Sequence, residues 1–112
     1  MSKDTAVGNS PIVYILRCAD GSYYVRVTRD VAERVTAHND GRGAAYTYKR
    51  RPVELVCWEP QPSEAEAVAR ERQLKGWSRA KKEALIDGNA RRLRALSRSR
   101  EHLAKGRSPA SQ

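Results

Sequence analysis

"GSYYVRVTRDVAERVTAHN", Gly21 to Asn39, decides how the rest of the chain is read. Residues 22–28 are rich in aromatic and β-branched side chains and predict a strand. Asp30 with Glu33 has the spacing of an N-terminal capping pair, and Val31, Val35 and His38 recur toward one face of a helix that Gly41 stops. Arg26 does not fit the pattern. It sets a long cation in the middle of an otherwise apolar strand.

Working outward, "PIVYILRC" (residues 11–18) is a nearly continuous apolar run, the pattern of a well-covered strand. Asp20-Gly21 between the two runs is a strong hairpin signal, so the strands should lie antiparallel. "GRGAAYTYKRR" (41–51) reads as a loop carrying two tyrosines and four cations. Pro52 introduces a third strand, "VELVCW", and "EPQPS" reads as a turn. Ser63 with Glu66 caps a second helix that packs through Ala67, Val68, Ala69 and Leu74 and ends near Gly76. A third helix runs from Ser78 to Gly88.

The order β-β-α-β-α-α predicts an α+β domain: a small three-stranded, mainly antiparallel sheet flanked by helices. The expected organisation is a flexible N-terminus (1–10), one domain (11–89), a basic helical extension (90–102) and a small, polar, disordered tail (103–112).

Of the net charge of +9, +6 falls after Asn89, leaving a nearly balanced domain. A basic balance suits a polyanion partner, since each neutralised phosphate releases counterions, although basic proteins without such a partner also exist. The two cysteines, Cys18 and Cys57, each lie in an apolar run without CxxC spacing and read as buried free thiols of a reducing compartment. No apolar run approaches the ~20 residues of a membrane span. The expectation is a soluble, cytoplasmic monomer.

Several side chains then gain a setting. Tyr14 and Tyr24 lie on hairpin-connected strands, and Arg34 and His38 share a helix face at i, i+4. Glu71 lies on the second helix. Phenols, guanidinium, imidazole and carboxylate together suit phosphodiester cleavage: the carboxylate for a hard, hydrated cation, the arginine for charge on phosphorus oxygens, a phenol or imidazole for water. Each also has an ordinary reading, as packed tyrosines, a solvated helix face, and a Glu71–Lys75 pair at i, i+4. Trp58 and Trp77 read as packing residues.

The ordered set "VYILRCADGSYYV", "RVTAHN", "GRGAAYT", "RRPVELV" and "ARERQLKGWSRAKKEALI" resembles the GIY-YIG nuclease superfamily, in particular its small single-domain bacterial proteins, over residues 11–99. The resemblance implies a DNA endonuclease using one Mg²⁺ or Mn²⁺ ion, with possible roles in repair or recombination; target preference is expected to come from the shape of the DNA or from a protein partner. Nothing in it excludes RNA. Tyr14 stands at the tyrosine of the first motif, preceded by Ile12-Val13 instead of Gly-Ile. Tyr24 stands at the second-motif tyrosine that handles the attacking water. Arg34 matches the arginine on the scissile phosphate, His38 a histidine one turn later, and Glu71 the metal ligand. Asn89 lies in the region of a further family asparagine.

The second motif should read Tyr-x-Gly; here it is Tyr24-Val25-Arg26. Alternation puts Arg26 on the face of Tyr24, where glycine would leave room for a ligand. Three placements are open: along the groove as a phosphate contact, onto the phosphate or metal position and pairing with Glu71, or out into solvent. The second would turn an enzyme into a nucleic-acid-binding module with weak or no cleavage. In the loop, Arg42, Lys49, Arg50 and Arg51 around Tyr46 and Tyr48 offer phosphate contacts and stacking, or simply a solvated turn anchored by its tyrosines.

Overall fold

The computed structural model describes residues 10–97. The expected flexible N-terminus, apart from Ser10, lies outside the described residues, as do 98–102 of the basic extension and the tail at 103–112.

The hairpin forms as expected, with β1 (Ile12–Arg17) and β2 (Tyr23–Thr28) antiparallel around Asp20-Gly21. Gly21 takes φ +88°, a conformation glycine adopts without a Cβ penalty. Asp20 Oδ1 accepts from the Ser22 amide at 3.0 Å and the Ser22 hydroxyl at 2.6 Å, which closes the turn. β3 (Glu54–Pro60) pairs antiparallel with the other side of β1, giving the order β2-β1-β3. β1 is therefore central, and this is why its apolar residues run without a break: Val13, Tyr14, Ile15 and Leu16 are all at most 2% exposed. β3 takes up Glu59 and Pro60, two residues assigned above to a turn. The Gln61 amide donates to Pro11 O at 2.8 Å and ties off that end.

α1 (Val31–Asn39) follows β2, capped by Asp30, whose side chain accepts from the Glu33 amide. The expected loop at 41–51 contains a short helix, α2 (Ala45–Tyr48), at whose centre Thr47 is fully buried. Four residues following Gly41 and Gly43 carry no periodic signal of their own; tertiary packing forms this turn. α3 (Glu64–Lys75) is capped by Ser63 and ends at Gly76, as expected.

Alternation divides the sheet. Tyr14, Leu16 and Tyr24 cluster on one face with Cys18, Val53, Leu55 and Val35 of α1. Val13, Ile15 and Val25 belong to the other face, and α3 packs on β2 and β1 through Ala67 and Leu74. Val68 and Ala69, expected to pack, are exposed, because the i, i+4, i+7 stripe through 67, 71 and 74 passes them by. Arg70 grips both oxygens of Glu59 at 2.8 and 3.0 Å, fastening α3 to the end of β3.

These elements, 10–76, form one compact unit; residues 77–97 form a second. In the second, α4 (Arg79–Ile86) is capped by Ser78, and the Lys81 ammonium lies 4.3 Å from the Trp77 ring centroid. Gly88 turns the chain at φ +71°. Asn89 Oδ1 accepts from the Arg92 amide at 3.0 Å and so caps a further helical stretch, 90–97. Among the described residues no helix is long and apolar enough to cross a membrane.

Candidate active site

His38 lies at the centre of one buried network. It is 1% exposed, with Nε2 3.2 Å from the Tyr14 hydroxyl and Nδ1 2.8 Å from Thr47 Oγ1. The Thr47 hydroxyl donates its one proton to Ala44 O at 3.0 Å. Thr47 Oγ1 must then accept from His38, so Nδ1 carries the hydrogen and Nε2 is the bare nitrogen to which Tyr14 donates. Burial, with the nearby Arg34 and Arg26 cations, holds the His38 pKa below its ordinary value. Burial raises that of Tyr14, and Arg34 pulls the other way. The resting pair is a neutral phenol and a neutral imidazole. A Cβ on Gly43 would collide with the His38 ring, so glycine is required there by close approach.

Tyr24 presents its ring to His38 edge-on at 5.3 Å and stacks on Tyr46 at 5.6 Å with planes 14° apart. The Arg50 guanidinium lies 3.8 Å from the Tyr46 centroid, and it also binds Asp20 Oδ2 and Tyr46 O at 3.0 and 2.7 Å. The second-strand tyrosine is thus wedged between α1 and α2.

Arg26 stands opposite Tyr14 in the β1–β2 register and so shares the face of Tyr14 and Tyr24. Its Nε lies 3.7 Å from Glu71 Oε2 and its guanidinium 5.8 Å from the Tyr24 centroid. Of the three placements open to Arg26, the structure takes the pairing with Glu71. Lys75 Nζ meets the same oxygen at 3.2 Å, the i, i+4 contact expected on α3. The Arg26 and Lys75 side chains are 52% and 48% exposed, whereas Glu71 is 18% exposed.

Residues 10–84 match the GIY-YIG catalytic domain. The chain belongs to the GIY-YIG family. A UPF0213 protein of Staphylococcus aureus is 47% identical over 78 residues, covering 70% of this chain and 95% of the relative. Another, of Bacillus pumilus, is 46% identical over 74 residues, 66% of this chain and 76% of that one. The solution NMR structure of a protein from E. faecalis shares 38% identity at a TM-score of 0.51 over 70% of this chain and 84% of that chain. A GIY-YIG catalytic domain is a nuclease-type domain, and its substrate is nucleic acid.

In this GIY-YIG domain, Tyr14, Tyr24 and His38 are in contact, Arg34 and Arg26 act electrostatically on the Tyr14–His38 pair, and Glu71 reaches the group through Arg26. The loop cations are placed differently. Arg42 pairs with Asp40 at 3.1 Å and Glu33 at 3.6 Å, and Arg51 donates to Tyr48 O at 2.8 Å with its guanidinium 4.3 Å from the Tyr48 ring. Lys49 is exposed and, with Ala19, Asp20 and Arg50, lines an open depression of about 460 Å³. Asn89 belongs to the second unit, as a helix cap.

Residue reasoning missed Gly43 and Thr47 as supports of His38. Their signal was the Gly-x-Gly and Tyr-Thr of the loop, but nothing local says that both meet a histidine on another helix. Trp58, expected to pack, is 58% exposed.

Among the described residues no three His, Cys, Asp or Glu side chains converge as a metal cage. The donor set fits a different kind of cation: one carboxylate near phenols suits a hard divalent ion that keeps most of its waters. Both ion pairs of Glu71 fall on Oε2, and both partners are half in solvent and free to withdraw.

Proposed function

We propose that the protein is a Mg²⁺- or Mn²⁺-dependent endonuclease that hydrolyses phosphodiester bonds in DNA. The observation that carries the reading is the single sheet face on which Tyr14, Tyr24 and the tautomer-fixed His38 meet, with Glu71 at its rim behind Arg26. Glu71 would hold the ion. When bound, a divalent ion supplies charge neutralisation at the phosphoryl oxygens and a more acidic water.

The chain's own residues do the rest. Arg34 contributes a permanent cation beside Tyr14 for the charge that develops on phosphorus. Tyr24, less buried than Tyr14 and edge-on to His38, orients the attacking water through its hydroxyl oxygen. His38 Nε2 keeps the Tyr14 hydroxyl turned toward itself, so that the Tyr14 lone pairs stay free to accept from water or Arg34. Thr47 keeps His38 in the tautomer that allows this.

The Arg26–Glu71 pair favours a second reading, in which nucleic acid is bound and cleavage is weak because an always-charged guanidinium competes with the metal ion for the carboxylate. The deciding experiment is cleavage and gel shift of wild type, Glu71→Ala and Arg26→Gly on linear, nicked and branched DNA and on RNA, with Mg²⁺, Mn²⁺ or chelator. Metal-dependent cutting by wild type, lost in Glu71→Ala, supports the enzyme. A Glu71→Ala protein that still cuts overturns its role. Binding without cutting, with cutting gained in Arg26→Gly, establishes the second reading. A role in DNA repair and a partner protein that chooses the target would extend this reading.

A further inference from the structure

We infer that Trp58 is a stacking platform for an unpaired nucleobase beside the reactive phosphate, so that the domain prefers single-stranded or splayed DNA at its active face. The inference rests on the nucleic-acid reading above and adds to it the form of the substrate.

The register carries the argument. Tyr14 pairs with Arg26 on one side and with Trp58 on the other. Directly opposed residues of an antiparallel sheet stand on the same face, so Arg26, Tyr14 and Trp58 form one row across the three strands. With strands ~4.8 Å apart, that row spans about 10 Å. Tyr14 at its centre is buried and holds His38; Arg26 at one end is a cation, and Trp58 at the other is an indole 58% exposed. On the same face, the cluster around Leu16, Cys18, Val53 and Leu55 fills the end covered by α1, and the Trp58 row lies toward the opposite ends of the strands.

An exposed indole presents a flat, polarisable face on which a base can stack. Positive charge from Arg26 and Arg34 in the same region selects an anionic chain as the cover, and the indole, more exposed than Tyr46 or Tyr48, offers its bases a surface in line with Tyr14. The platform is also rigid. Arg70 clamps Glu59, the next residue, and Gln61 is bonded back to Pro11, so stacking would order little that is not already ordered. In a fully paired duplex the base faces are stacked on each other, and only an unpaired base can lie on the ring.

The test is binding of full-length protein to oligo-dT and to a blunt duplex of equal length, for wild type, Trp58→Ala and Trp58→Phe, in parallel with thermal melts. Trp77→Phe leaves Trp58 as the one remaining tryptophan of two, so its emission reports on the platform alone. The expected result is about a ten-fold loss of oligo-dT affinity in Trp58→Ala. Trp58→Phe should retain most of the affinity, duplex binding and melting temperature should stay nearly constant, and oligo-dT should quench Trp58 emission. Unchanged oligo-dT binding in Trp58→Ala overturns the platform, as does an equal loss on both DNAs. Self-association of wild type that Trp58→Ala abolishes overturns it too, since the indole would then be covered by a second copy. Wild type that binds no DNA in a salt-sensitive way overturns both this inference and the reading beneath it.

Discussion

Around His38 the polar contacts are 2.8–3.2 Å long, the rings are buried, and a glycine is needed to make room; around Arg26, on the same sheet face, the ionic contact is 3.7 Å and the arginine is half in solvent. The first region is a satisfied network whose members fix one another's orientation. The second is a loosely paired rim, worth little to stability in water. A site that binds a polyanion needs both: groups held in place before the ligand arrives, and groups that exchange an internal partner for an external one without unfolding anything.

The contrast breaks most severely if His38 is removed. His38→Ala should cost about 3 kcal/mol in urea unfolding, since it leaves a cavity and strands Tyr14 and Thr47. Gly43→Ala should cost about 2 kcal/mol by overpacking the same ring, measured the same way. A near-neutral result for both would show that the buried network does not hold the fold. Thr47→Val keeps the shape but leaves His38 Nδ1–H without its acceptor, for about 1–2 kcal/mol, and it should lower turnover more than binding.

The next effect is on pH. The folded state holds His38 below its ordinary pKa, while the unfolded chain protonates it near 6.5. Below about pH 6.5 the unfolded state therefore binds a proton the folded state refuses, and the His38 contribution to stability falls until the folded pKa is passed. Denaturation from pH 8 to 5 should show this slope in wild type and lack it in His38→Gln. The smallest effect belongs to the rim. Arg26→Ala should change stability by less than about 0.5 kcal/mol yet raise Mn²⁺ affinity, read by electron paramagnetic resonance titration. A large loss of stability there would erase the distinction between the two regions.

The hairpin, the caps of α1 and α3 and the central strand were legible because each is written in neighbouring residues: Asp20-Gly21, Asp30 with Glu33, Ser63 with Glu66, and the apolar run of β1. The candidate site residues were read from a family pattern. The loop hid α2, because a four-residue helix depends on Thr47 being buried under His38. The stripe on α3 was misread at Val68 and Ala69, since composition does not show which side of a helix faces the sheet.

Local sequence chemistry therefore settled the order of the elements apart from α2, the caps and the departure at Arg26, and the ordered motifs settled the family. Tertiary structure alone decided that Arg26 meets Glu71, that Thr47 sets the His38 tautomer, and that Trp58 stands exposed in line with Tyr14. Each of these joins residues on different elements, nine to forty-five positions apart. A pairing of that kind depends on register and packing geometry, which no short window of sequence contains.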